Sequence, residues 1–81
     1  MSISTRAQMR AARALLGWSQ ADLAERSGVS LPTIKRLEPG ETPLAGQHQT
    51  IDAIRRALEM AGVIFVSENG EGPGVRLKKR T

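Results

Sequence analysis

Apolar positions recur at helical spacing over most of this chain and change to strand-like alternation near its end. Met9, Ala12 and Leu16, with Leu15 nearby, line one side of TRAQMRAARALLG, a stretch rich in strong helix formers. Thr5 with Gln8 three residues on is a capping box that opens this helix, and Gly17 closes it as a C′ residue. Residues 1–4 read as a loose start. Ser19 with Asp22 is a second capping box, and Ser30 before Leu31 reads as the N-cap of a third helix. Pro32 then falls in the first turn, where a missing N–H removes no intrahelical bond. Pro39-Gly40 stops that helix, and residues 41–46, with Pro43, form a connecting loop. From about Gln47 to Met60 the helical period returns. Ile51, Ile54, Leu58 and Ala61 share a face, and Asp52/Arg56 and Arg55/Glu59 are favourable pairs outside it. Beyond Gly62, Val63-Ile64-Phe65-Val66 is β-branched and aromatic, SENGEGPG is turn-forming, and Val75 and Leu77 alternate with Arg76 and Lys78. That pattern predicts a β-hairpin with an eight-residue loop over residues 67–74.

Within residues 20–38 a second set of constraints applies. Small Ala24 permits two helices to cross closely, and Gly28 tolerates positive φ at the corner between them. Val29, Ile34 and Leu37 then point inward from the next helix at helical spacing. These coincidences make a helix-turn-helix pattern. Trp18 lies at the corner between the first two helices, where packing against the first helix and the turn is expected. Base-stacking platforms use several aromatics, and this indole is the only tryptophan.

Eighty-one residues make one domain, with residues 1–62 as the helix-turn-helix part and residues 63–81 as a hairpin and basic tail belonging to it. Absent cysteine excludes disulfides and thiolate metal sites, and a single histidine excludes a zinc finger. His48 lies on the polar side of its helix without a ligand-spaced partner, so neither metal nor cofactor is expected. No apolar run approaches the roughly 20 residues that span a bilayer, and the N-terminus lacks a signal peptide's apolar segment. The expected location is the cytoplasm, with no membrane partner. The first strand is apolar on both faces, more than a chain this short covers alone. A homodimer joined through Val63, Ile64, Phe65 and Val66 is therefore expected.

Net charge is +4, and its distribution narrows the partner. Arg6, Arg10 and Arg13 share a sector of the first helix, Lys35 and Arg36 lie in the third, and Arg76, Lys78, Lys79 and Arg80 end the chain. Separate basic clusters on a small domain point to a polyanion. The major groove of double-stranded DNA accepts a helix, and its base edges distinguish every base pair. Entering that groove by its N-terminal end, the third helix presents Ser30, Leu31, Pro32, Thr33, Lys35 and Arg36. Arg36 is the candidate for a bidentate guanine contact, while Leu31, Pro32 and the Thr33 methyl suit thymine methyl groups. Gln20, opening the preceding helix, suits a phosphate, as do Arg10 and Arg13.

The segment GWSQADLAERSGVSLPTIKRLEPGE resembles the helix-turn-helix of Cro/CI-repressor or XRE-type transcriptional regulators. It matches their string at Ser19, Gln20, Leu23, Ala24, Gly28, Val29, Ser30, Thr33, Ile34, Glu38 and Gly40. The resemblance covers roughly residues 6–61 and implies a mainly α, lambda-repressor-like bundle of four or five helices, to which the hairpin is appended. It implies DNA contact at Gln20, Leu31, Pro32 and Arg36. Leu31-Pro32 is less polar than the glutamines that phage repressors carry there, and the loop after Gly40 holds an extra PLAGQ run. A bacterial or phage-type regulator, acting as a dimeric repressor on a two-half-site operator, is the leading expectation. Activation by touching RNA polymerase, an antitoxin that meets a toxin, and a restriction-modification controller remain open. So does an antiactivator that kept the scaffold for protein binding, although Gln20, Arg36 and the positive charge speak against it. An enzyme is not expected: no histidine–carboxylate pair or activated nucleophile is present, and SENGEGPG lacks the Lys-Ser/Thr of a P-loop.

Overall fold

A computed structural model describes residues 3–79. Arg80 of the basic tail lies outside the described residues, as do Met1 and Ser2. The elements run α1 (Arg6–Leu16), α2 (Gln20–Ser27), α3 (Leu31–Leu37), α4 (His48–Met60), β1 (Val63–Val66) and β2 (Gly74–Leu77). The fold is mainly helical, four helices and one antiparallel hairpin among the described residues.

Local chemistry sets the helix limits. Both capping boxes form: Thr5 and Ser19 accept the N–H of Gln8 and Asp22, whose side chains accept the cap N–H in return. Gly17 and Gly28 close α1 and α2 with φ of 69° and 75°, the left-handed region where a Cβ is penalised. Ser30 caps α3 through the Thr33 N–H, with Pro32 in the first turn. No side chain caps α4, which opens at Gln47 and carries its ion pairs on its outer face. There Arg55 bridges Asp52 and Glu59, and Arg56 meets Asp52 at 3.0 Å.

The core draws on all four helices and β1: Met9 and Ala12 from α1, Leu23 from α2, Ile34 and Leu37 from α3, Ile54 and Leu58 from α4, Val63 and Phe65 from β1, with Val75 of β2 packed against it. Each large side chain so buried contributes about 1.5–3 kcal/mol. Trp18 packs against this core from the corner between α1 and α2, and Arg26 stacks on its outer ring face at 5.0 Å.

Ile3 is not part of a loose start. It is 7% exposed and belongs to the core, while Ser4 accepts the Leu44 N–H at 3.1 Å and Thr5 bridges Pro43. The connecting loop therefore returns to the start of α1 and fastens it, a pairing across about forty residues that periodicity does not reveal. The hairpin pairs Val63 with Leu77, Ile64 with Arg76, Phe65 with Val75 and Val66 with Gly74. Gly74 is thus a strand residue, and the loop is one residue shorter than the turn-forming composition predicts. Gln8, 2% exposed, reaches from α1 to the loop end of the hairpin. Its amide nitrogen donates to the carbonyls of Val66 at 3.2 Å and Gly74 at 3.0 Å, fixing both strands over the helix.

Candidate nucleic-acid interface

α3 presents two unlike sides. Ile34 and Leu37 are buried, whereas Pro32, Lys35 and Arg36 are exposed, and Leu31 and Thr33 are half-buried beside them. The Ser30 hydroxyl donates to Thr33 Oγ1 at 2.9 Å. The exposed side thus combines apolar and hydroxyl groups in the first turn with two cations, Lys35 and Arg36, in the last. All six third-helix candidates, Ser30, Leu31, Pro32, Thr33, Lys35 and Arg36, lie on this one element or its cap.

The α1 arginines occupy a different place from the one their charge suggests. Arg6 Nη1 donates to the Leu37 carbonyl, and Arg10 Nη1 donates to the carbonyls of Glu38 and Gly40. Arg13 holds the Glu38 carboxylate through Nε–Oε2 at 2.6 Å and Nη2–Oε1 at 2.8 Å, and gives Nη1 to the Trp18 carbonyl at 2.8 Å. A helix leaves its last carbonyls without intrahelical partners and gathers negative potential there. The arginine row answers both needs at the C-terminal end of α3. Arg6 adds a bond to Thr42 Oγ1 at 2.9 Å, and Arg10 adds an ion pair with Glu41 at 3.2 Å.

Glu38 is the centre of this arrangement. It is 2% exposed, and besides Arg13 it accepts from Gln20 Nε2 at 3.1 Å. One carboxylate therefore ties α1, the first residue of α2 and the end of α3. The bond to Glu38 holds the Arg13 guanidinium above its ordinary pKa, outweighing the opposing effect of its partial burial. The expectation that Arg10 and Arg13 offer free guanidiniums to phosphate meets this geometry directly. Arg13 is bound on both edges of its fork, and Arg10 is directed at carbonyls. Gln20 keeps its amide oxygen and a second N–H beyond the Glu38 bond. Sequence reasoning placed Glu38 in the motif without a task; its signal was a carboxylate directly after a helix with arginines facing it from α1.

Val63 and Phe65, expected at a dimer contact, are 3% and 0% exposed and fill the core of a single chain. Ile64 and Val66, on the opposite face, are half-buried. Among the described residues no helix is long and apolar enough to cross a membrane. Residues 9–47, from the second turn of α1 to the residue before α4, match the family described as helix-turn-helix. No curated protein and no solved structure matches the chain.

Proposed function

We propose, from the premise that this chain belongs to the XRE-type helix-turn-helix family, that it is a sequence-specific regulator of transcription that binds double-stranded DNA through α3. It acts as a bacterial repressor in the cytoplasm, as a dimer on an operator whose half-sites lie about 34 Å apart. The observation that carries this reading is the division of labour along α3. The C-terminal end is held by Arg6, Arg10 and Glu38, while Pro32, Lys35 and Arg36 remain exposed. An anchored helix whose exposed side carries Pro32 in its first turn and Lys35 and Arg36 in its last suits the major groove, where such a helix meets base edges.

In this reading Arg36 makes a bidentate contact to guanine, and Leu31, Pro32 and Thr33 meet thymine methyl groups. Lys35 and the spare N–H of Gln20 take phosphates. Arg10 and Arg13 serve the interface by holding α3, not by touching DNA.

Selection of bound sites from random duplex oligonucleotides tests the assignment. Wild type should recover a motif with two related half-sites, and Arg36→Ala should lose preference at one position in each, worth about 1–3 kcal/mol. Identical motifs from both proteins would remove Arg36 from the base-reading set. Failure to retain any duplex at low salt would favour a protein-binding role for the scaffold.

A further inference from the structure

The hairpin's two outer edges are unlike. The Lys78 N–H donates to the Gly62 carbonyl at 2.7 Å, which fixes the alternation of the antiparallel ladder. Residues 62/78, 64/76 and 66/74 exchange hydrogen bonds, so the N–H and C=O of Val63, Phe65, Val75 and Leu77 point away from the partner strand. On β1 those groups belong to residues 3% and 0% exposed, and that edge is covered. On β2 they belong to half-buried Val75 and to Leu77, 39% exposed, and no partner meets them among the described residues. Beside this edge runs a groove lined by Ala7, Gln8 and Ala11 of α1 and by Pro73, Gly74 and Val75.

We propose that the open edge of β2 pairs antiparallel with β2 of a second copy, centred on Val75, so that the two hairpins form one four-stranded sheet. The inference rests on the reading that the protein is a dimer and supplies its contact. Charge narrows the register. Centring on Arg76 would set Arg76 against Arg76 of the other copy, and centring on Leu77 would set Arg76 against Lys78; like charges directly opposite destabilise a sheet. Centring on Val75 places Arg76 opposite Gly74 and Leu77 opposite Pro73, with no like charges facing each other across the ladder. Pro73 has no N–H but keeps the carbonyl that the other copy's Leu77 N–H reaches.

The same register explains the exposed leucine. Leu77 shares the core-facing side with Val75, so in the joined sheet it lies over the other copy's groove, against Ala7, Ala11 and Pro73. The bonds from Gln8 to both strands hold α1 beneath the middle of its own hairpin. The two α1 helices then face each other across the new contact with alanines, small enough for close approach.

Cysteine cross-linking and sedimentation test this on the full chain, which contains no cysteine of its own. Pro73→Cys/Leu77→Cys should form a covalent dimer on mild oxidation. Within one chain those positions are separated by about 13 Å of extended strand, so no internal bridge competes. Arg76→Cys alone should stay uncross-linked, and its ready cross-linking would overturn the register. Val75→Pro removes the outward N–H without taking a bond from the β1–β2 ladder, replaces a side chain at the edge of the core, and should sediment as a monomer with wild-type helicity. A folded Val75→Pro dimer, or an oxidised cysteine pair that stays monomeric while wild type is dimeric, overturns the edge pairing and leaves the dimer reading intact. Should Val75→Pro fail to fold, the cysteine pair decides. A wild type monomeric well above its DNA-binding concentration overturns both.

Discussion

Glu38 and Arg13 show how a charge can be legible in a sequence while its task is not. Both residues stand out in the text, one as a motif letter and the other within a basic sector, and the sector reads as a surface for phosphate. Their distance apart is a product of the fold. Removing either partner strands the other: Glu38 is 3% exposed by side chain and Arg13 21%. Breaking such a pair costs about 3 kcal/mol, whereas replacing both partners with apolar groups costs much less. Glu38→Leu and Arg13→Met are therefore each expected to lower the urea unfolding free energy by about 2–4 kcal/mol. The double variant should lose clearly less than their sum. Additive losses in that cycle would mean the two side chains do not act as a unit.

At the scale of elements, α3 has seven residues, too few to persist as an isolated helix. Ser30 at one end and the arginine row at the other give it a fixed direction. Ser30→Ala should cost about 1 kcal/mol through the lost cap. It should also weaken DNA binding more than that loss of global stability implies, because the groove-facing turn frays first. The cap was readable from Ser30 and Pro32 alone, since capping is local chemistry. The hairpin's attachment was not, because Gln8 meets Val66 and Gly74 from 58 and 66 residues away. Only the near half of its work, the capping box with Thr5, lies within sequence reach. Gln8→Leu should cost about 1–3 kcal/mol, and amide exchange in β1 and β2 should accelerate more than in α2. Equal acceleration everywhere would mean the hairpin has no separate dependence on that amide.

Over the whole molecule, the arrangement changes how the net charge of +4 is used. Read from the sequence, α1, α3 and the tail each contribute a basic patch, and all of them bear on DNA. In the fold, Arg6, Arg10 and Arg13 are drawn to the negative end of α3. The cations left open on the proposed DNA side are then chiefly Lys35 and Arg36. Counterion release distinguishes the two pictures, since log K falls with log salt by about 0.9 for each phosphate neutralised. Lys35→Ala should flatten that slope by about 0.9 per protomer, or about 2 for a dimer spanning both half-sites. Arg13→Met, measured at a temperature where it remains folded, should weaken binding while leaving the slope unchanged. The reason is that Arg13 displaces no counterion: its charge is already answered by Glu38 in the free protein. A slope that falls as much for Arg13→Met as for Lys35→Ala would return the α1 row to the phosphates and leave Glu38 unpaired in the complex. That cost would in turn appear as a lower affinity of wild type than of a Glu38→Gln, Arg13-retaining variant.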